Sequence, residues 1–176
     1  ANAVIDGADA VMLSGETSTG KHPIKVIQVM EKILRNIENS SIIYDKELKA
    51  NQSSPTFISD AICYNAARMS GELGAKAIIG MTFSGYTGFM LSSYRPKALI
   101  FIFTENRDLL NALSLCWGVR AFYYKSFVGT DTTIRDVIRI LKEKNLVAPN
   151  DIIINTGSMP LASKGRANMV KVTVVE

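Results

Sequence analysis

The sequence has few residues of the kinds that build metal, disulfide or histidine-based catalytic sites. Its 176 residues contain one histidine, His22, and two cysteines, Cys63 and Cys116. A histidine-rich metal site is therefore excluded, and a serine triad would have to use His22. Neither cysteine has the CxxC or Cys/His spacing of a metal site. Both fall on apolar faces of predicted helices, so we expect reduced side chains packed in the core.

Long apolar runs and basic clusters are also missing. No apolar run approaches roughly 18 residues, and the N-terminus lacks the features of a signal peptide, which predicts a cytoplasmic protein without membrane contact. The 20 basic residues are scattered and the formal net charge is +4, so nucleic acid is not an expected partner. The composition, 47% apolar and 20% charged, is typical of a folded globular chain.

A polar, glycine-bounded loop near the start of the sequence is its most informative segment. The apolar residues after Gly7 predict a strand, which leads into this loop and then into a helix with Pro23 in its first turn. Residues 15–21 fit the first seven positions of a phosphate-binding P-loop. However, His22 replaces the hydroxyl that would hold magnesium, and Pro23 removes an amide. A nucleotide hydrolase built on this loop therefore ranks last among the functions that the sequence suggests.

Residues 24–38 predict an amphipathic helix, since apolar side chains recur on one face. These are Val26, Ile27, Met30, Ile33, Leu34 and Ile37. If no other segment packs on this apolar face, we expect it to dock on the rest of the chain or to drive self-association. Residues 39–54 break the period and are typical of a linker.

The next segment predicts a helix at about 55–72, with Ser54 as its N-cap, Pro55 in its first turn and Gly74 at its end. Strands and helices then alternate. Apolar runs predict strands at 77–82, 98–103, 119–124 and 152–155, and the segments between them predict helices at 86–94, 106–116 and 131–145. Asp131 is the expected N-cap of the third of these helices, and Gly118 is expected to end the second.

This alternation predicts a parallel sheet with helices on both faces. The last strand, 169–175, follows a connection without helical periodicity. Because a parallel return would need a crossover helix, we expect this strand to be antiparallel and at an edge. The predicted order of the first four strands is 3-2-1-4.

Two loops are candidate ligand sites. The first follows the first strand of the sheet and opens a helix, so its hydroxyls, amides and helix dipole predict a phosphate pocket. A turn capped by its own side chains is the alternative. Its residues are Thr82, Phe83, Ser84, Gly85, Tyr86 and Thr87.

The second loop, residues 156–167, follows the fourth strand and carries Lys164, Gly165 and Arg166. Its length and charge suit an anion, and a solvated surface is the alternative. The predicted strand order places both loops beside the switch point where ligands of open α/β sheets bind.

Residues 1–4, 6–9, 12–17 and 20–23 together resemble the last βα unit of the pyruvate kinase barrel. Weaker signatures continue in the same order to the end of the sequence. With the strand pattern, the resemblance implies a three-layer α/β/α domain with a five-stranded, mostly parallel sheet, preceded by a remnant of a (β/α)8 barrel. Residues 1–40 would be the last barrel strand and helix, and residues 41–176 the C-terminal regulatory domain.

The resemblance implies a parent enzyme of glycolysis that transfers phosphoryl from phosphoenolpyruvate to ADP with Mg²⁺ and K⁺. The catalytic and metal-binding residues of this family lie on earlier barrel strands, so we expect this chain to hold none of them and to be inactive alone. Ser14, Glu16 and Thr17 would be nucleotide-side or supporting groups, with a purely structural turn as the alternative.

In many members of this family, the cleft of the regulatory domain binds an allosteric sugar phosphate such as fructose 1,6-bisphosphate. Its phosphate loop matches Thr82, Ser84, Gly85 and Thr87, whereas Tyr86 stands where a basic residue is common. A tryptophan that holds the other phosphate has no counterpart, and Arg135 is the candidate arginine. The implied partners are a phosphorylated effector, the catalytic barrel and the sister subunits of a homotetramer. A noncatalytic assembly domain with an empty cleft is the alternative function.

Overall fold

The computed structural model describes residues 1–44, 50–127, 129–160 and 165–176. The chain divides into two compact units, Ala1–Tyr44 and Asp45–Glu176. The division falls close to the boundary predicted after residue 40, and the assignment of the first unit to a barrel stays a prediction. Within the described ranges, no helix is long and apolar enough to cross a membrane.

The first unit contains helices α1 (Asn2–Ile5), α2 (Gly15–Ser18) and α3 (Pro23–Glu38), followed by a 3-10 turn at Ser41–Ile43. Pro23 lies in the first turn of α3, as predicted, where its missing N–H costs no hydrogen bond. No residue of α3 is fully buried in this chain. Val26 and Met30 of the predicted apolar face are half-buried, whereas Ile27 is exposed.

The strand predicted before the polar loop is not formed. Residues 10–14 belong to no regular element, and Met12 is 84% exposed. A strand satisfies its backbone groups by pairing with a neighbouring strand. No strand among the described residues pairs with this segment. Apolar sequence without a pairing partner is therefore left irregular.

The second unit is built around one sheet. Its helices and strands are α4 (Phe57–Glu72), β1 (Ala77–Met81), α5 (Tyr86–Ser93), β2 (Leu99–Thr104), α6 (Arg107–Leu113), β3 (Val119–Tyr123), α7 (Thr130–Glu143), β4 (Ile152–Gly157) and β5 (Met169–Val174). The strand order is β3-β2-β1-β4-β5. The pairs among β1 to β4 are parallel, and β5 pairs antiparallel with β4 at the edge. The predicted order and the direction of the last strand are confirmed.

Two helix starts differ from the prediction. α4 begins at Phe57 with Thr56 as its N-cap, so the proline precedes the helix. The hydroxyl of Ser54 accepts the backbone N–H of Thr56 at 3.2 Å and forms part of the approach to the helix. α7 begins one residue earlier than predicted, after Gly129. Asp131 is therefore in the first turn, where its carboxylate pairs with Lys171 at 2.7 Å.

The region after α6 also differs. This helix ends at Leu113, so Gly118, with a φ of +69°, lies in the turn before β3 and does not end the helix. Cys116 consequently lies outside any helix and is half-buried, although it packs against the hydrophobic cluster that contains Cys63. Cys63 is fully buried on α4, as predicted, and the two cysteines form no disulfide with each other.

The core has two halves because alternate strand residues face opposite sides of the sheet. On one face, Ile78, Ile100, Ile102 and Ile154 pack with residues of α4, α5 and α6, including Cys63, Leu91 and Leu113. On the other face, Ile79, Phe101, Phe103 and Ile153 pack with Val137 and Leu141 of α7. This arrangement confirms the predicted three layers.

Two glycines let α5 approach the sheet closely. A Cβ atom at Gly80 of β1 would lie 3.3 Å from Cγ2 of Thr87 on α5 and 2.6 Å from Cδ1 of Ile102 on β2. A Cβ atom at Gly88 of α5 would lie 2.9 Å from Leu113 Cδ2 and 3.2 Å from Ile102 Cγ1. The absence of a side chain at both positions therefore sets the spacing between α5 and the sheet.

Ile102→Ala should lower the free energy of unfolding of the second unit by about 2–5 kcal/mol, because it leaves a cavity at this fully buried contact. Urea unfolding can be followed by the fluorescence of Trp117, the one tryptophan of the chain. The matched control is Leu99→Ala on the same strand, where the side chain is 45% exposed and the expected change is within about 0.5 kcal/mol. Equal losses in both variants would contradict the packing described here.

Candidate functional site

The candidate site lies where β1 and β4 end side by side. Gly80 of β1 is in register with Thr156 of β4, and both strands run in the same direction. From β1 the chain passes through α5 to β2 on one side, whereas β4 lies on the other side. Ligands of open α/β sheets bind in the crevice at such a switch point. The structure thus brings the starts of the two predicted loops together at the carboxyl ends of β1 and β4.

Residues 82–87 form a tight turn into α5. The backbone N–H of Thr82 donates to the carbonyl of Phe103 at 3.1 Å, which ties the turn to β2. Gly85 has a φ of +83° and precedes the helix, a conformation that glycine adopts without strain. Its N–H donates to Thr82 Oγ1 at 3.1 Å, and the N–H of Tyr86 donates to Ser84 Oγ at 3.4 Å. The two hydroxyls therefore cap the turn in this state.

The loop side chains differ in accessibility. Phe83 and Ser84 are exposed, Thr82 and Tyr86 are half-buried, and Thr87 is buried. Ser84 is therefore the loop hydroxyl that solvent reaches most freely. Since it also lies at the N-terminal end of α5, an anion bound there would meet the positive end of the helix dipole.

A buried carboxylate that was not predicted from the sequence lies next to this loop. Asp60 lies in the first turn of α4 and is 7% exposed. Its Oδ1 accepts the phenolic hydroxyl of Tyr86 at 2.5 Å, and its Oδ2 accepts the hydroxyl of Thr56 at 2.9 Å. The available signal was its position three residues before Cys63, which places a charged residue on an otherwise apolar helix face.

The surroundings of Asp60 shift neighbouring groups toward their neutral forms. Loss of solvent contact, and next the hydrogen bond with Asp60, raise the pKa of Tyr86. Loss of solvent contact raises the pKa of Tyr94 to about 12, with smaller contributions from Cys63 and Asp60. Burial, reinforced by the charge of Asp60, likewise raises the pKa of the Cys63 thiol to about 12. These phenols and this thiol are therefore protonated at neutral pH.

Arg166 of the second loop contacts the start of α4. Its guanidinium donates to the backbone carbonyl of Pro55. Beside it, the hydroxyl of Ser59 donates to the carbonyl of Ala167 at 3.0 Å. These residues line a cavity of about 510 Å³ together with Gln52 and others of α4 and its approach. Gly165 is exposed, and Lys164 lies outside the described residues.

Arg135 occupies a different groove. It is exposed on α7, which packs on the face of the sheet opposite α5. It lines a groove of about 730 Å³ between α7 and β5, together with Lys171 and Thr173. Among the described residues of this lining, none belongs to the 82–87 turn or to the second loop. The role of Arg135 as a second phosphate contact stays a prediction.

Ser14, Glu16 and Thr17 form a hydrogen-bonded cap on α2 in the first unit. The N–H of Ser14 donates to Glu16 Oε2 at 3.1 Å, and the Thr17 hydroxyl donates to the Ser14 carbonyl at 3.1 Å. Hydrogen bonds from the backbone amides of Glu16 and Ser14 lower the pKa of the Glu16 carboxyl. The geometry is that of a structural turn, and the predicted nucleotide-side role stays a prediction.

The same segment does not have the geometry of a P-loop. Residues 15–18 are the helix α2, and the strand that should precede a phosphate-binding loop is not formed. Among the described residues, no group of three or more His, Cys, Asp or Glu side chains is arranged to hold a metal ion. The expectation that Mg²⁺ and K⁺ belong to other parts of a parent enzyme stays a prediction.

Comparison with known proteins identifies the family. A family model described as the pyruvate kinase alpha/beta domain matches residues 60–173. The chain belongs to the pyruvate kinase family. The pyruvate kinase of Clostridium acetobutylicum is 37% identical over 179 residues, a match that covers 100% of this chain and 37% of that protein. The pyruvate kinase of Geobacillus stearothermophilus is 34% identical, covering 99% and 30%.

Solved structures agree with this assignment to the pyruvate kinases. A crystal structure of a pyruvate kinase from Cryptosporidium parvum matches with a TM-score of 0.84 and 26% identity, covering 99% of this chain and 35% of that one. The chain thus spans about a third of the length of these relatives. Together the matches confirm a pyruvate kinase C-terminal α/β domain.

In this pyruvate kinase domain, Tyr94 should make stability fall at alkaline pH. An exposed tyrosine titrates near pH 10, whereas the folded domain holds the pKa of Tyr94 at about 12. The stabilisation from its neutral form is therefore complete below about pH 10 and is lost as the pH rises toward 12. The free energy of unfolding, measured by urea titration, should fall less between about pH 10 and 12 in Tyr94→Phe than in the unchanged chain. Equal losses of unfolding free energy in the two proteins would show that Tyr94 does not cause the alkaline loss of stability.

Proposed function

We propose that this chain is the C-terminal regulatory domain, with the last βα segment of the catalytic barrel, of a glycolytic enzyme that transfers phosphoryl from phosphoenolpyruvate to ADP. Its family membership and its coverage of about a third of the relatives support this proposal. The chemistry needs metal ions, a lysine and carboxylates converging on one site. We assign these groups, with bound Mg²⁺ and K⁺, to other polypeptide of the parent enzyme, and expect no turnover from this chain alone.

The proposed ligand of the second unit is a phosphorylated small molecule. The observation that carries this proposal is the position of residues 82–87 at the switch point, directly before the N-terminus of α5. A phosphate there replaces the internal acceptors of the turn. The amides of Gly85 and Tyr86 would donate to phosphate oxygens, and the hydroxyls of Thr82 and Ser84 would rotate to become donors.

Positive charge for a second anionic group comes from the other loop. Arg166 donates to the carbonyl of Pro55 just before α4, and Tyr86 donates to Asp60 in the first turn of the same helix. A ligand that spans from Ser84 toward Arg166 would compete with the Pro55 carbonyl for the guanidinium. Because a charge-assisted bond to phosphate is stronger than one to a neutral carbonyl, this exchange favours the bound state.

An assembly domain with an empty cleft is the second candidate. It is favoured by the internal hydrogen bonds of the turn, which leave the amides of Gly85 and Tyr86 satisfied without a ligand. In either case we propose that the chain contacts its catalytic barrel and the sister subunits of a homotetramer. The exposed apolar residues of α3, Ile24, Ile27, Val29 and Ile33, support such a contact surface.

Calorimetry should show binding of fructose 1,6-bisphosphate to the chain, and Ser84→Ala should weaken it about tenfold, since one hydrogen bond to a charged group is lost. Ribose 5-phosphate, AMP and Mg·ATP titrated under the same conditions define which phosphate ester is preferred. The matched control is Ser93→Ala at the other end of α5, where the hydroxyl donates to Met90 of its own helix.

The control should bind like the unchanged chain. Heat that survives Ser84→Ala undiminished would place the ligand elsewhere. Absence of heat with every phosphate ester would support the assembly domain, and tight binding of Mg·ATP alone would restore the nucleotide hydrolase.

A further inference from the structure

One residue of α4 holds both ends of α5. The carboxylate of Asp60 accepts the hydroxyl of Tyr86, the first residue of α5, at 2.5 Å. The backbone carbonyl of the same residue accepts the hydroxyl of Tyr94, the C-cap of α5, at 3.3 Å. The eight-residue helix that opens from the 82–87 turn is therefore tied at both ends to one point on α4.

The two ties differ in strength. The bond from Tyr86 ends on a carboxylate at short distance, whereas the bond from Tyr94 ends on a neutral carbonyl at longer distance. Hydrogen bonds to charged groups are shorter and roughly twice as strong as neutral ones. The orientation of the N-terminal end of α5 therefore depends more on Asp60 than the orientation of its C-terminal end does.

The carboxylate is itself fixed in place. It lies in the first turn of the sixteen-residue α4, where the helix dipole stabilises negative charge. Thr56, the N-cap of that helix, donates its hydroxyl to the second carboxylate oxygen at 2.9 Å. Of the titratable side chains packed here, Cys63, Tyr86 and Tyr94 are all neutral at pH 7. The hydrogen bonds from Tyr86 and Thr56 therefore hold both oxygens of the Asp60 side chain in place.

We propose that Asp60 is the positioning residue of the effector site, aiming the amides of the 82–87 turn by holding Tyr86. This inference rests on the proposed function for its ligand. The turn amides of Gly85 and Tyr86 belong to the same short segment as the tethered phenol. The side chain of Tyr86 donates to Asp60 on α4, while its backbone N–H donates to Ser84 Oγ on the loop side.

Hydrogen exchange on the full chain tests the positioning without any ligand. Tyr86→Phe removes the phenolic hydroxyl, so exchange of the amides at 85–89 should accelerate about tenfold. Tyr94→Phe is the matched control, because it removes a phenol that bonds the same residue from the other end of α5. It should leave the 85–89 amides unchanged.

Two variants of Asp60 separate the hydrogen bond from the charge. Asp60→Asn keeps an acceptor for Tyr86, and Thr56 can reverse its hydroxyl to accept from the amide. Because a hydrogen bond to a neutral amide is weaker than one to a carboxylate, this variant should give exchange at 85–89 and affinity for fructose 1,6-bisphosphate between those of the unchanged chain and those of Asp60→Ala. Asp60→Ala should match Tyr86→Phe, with fast exchange and about tenfold weaker binding.

The inference is overturned if exchange at 85–89 is unchanged in Tyr86→Phe, or if Tyr94→Phe accelerates it equally. It is also overturned if Asp60→Asn behaves like Asp60→Ala. The proposed function fails separately, if the unchanged chain gives no heat with any phosphate ester. In that event the exchange rates still decide whether Asp60 holds the turn.

Discussion

The placement of β1 between β2 and β4 is the constraint on which the rest of the second unit depends. All five residues of β1 are buried, and the strand hydrogen-bonds to a parallel neighbour on each side. Such a strand cannot shift its register without exposing apolar residues or breaking two ladders. The position of the 82–87 turn, the start of α5 and the end of β4 all follow from it.

Most of the sheet could be predicted because its signals are local in sequence. The run 98–103 is apolar without a break, as expected for a strand covered on both faces, and β2 is buried over all but its first residue. The edge position of β5 followed from a connection that has no helical period. The prediction of a strand before Ser14 was wrong for the opposite reason. A strand needs a second segment to pair with, and the sequence of one segment does not show whether that partner is present.

The candidate site was predictable only in part. Turn chemistry is encoded in neighbouring residues, so the glycine and hydroxyl pattern of 82–87 marked a loop at a helix start. Asp60 lies 26 positions from Tyr86, and their hydrogen bond depends on how α4 and α5 pack. Arg135 was suggested by the family resemblance alone; it lies on α7, on the opposite face of the sheet from α5, and its role stays a prediction.

The missing side chains at Gly80 and Gly88 have a consequence for how such a domain can diverge. A side chain at either position would meet the ends of the buried side chains of Ile102 or Leu113, which would have to shift. Within the 82–87 turn, substitutions that alter ligand preference while keeping the scaffold are therefore expected at its solvent-facing tip. Divergence in ligand choice at this turn is therefore expected at the exposed positions Phe83 and Ser84.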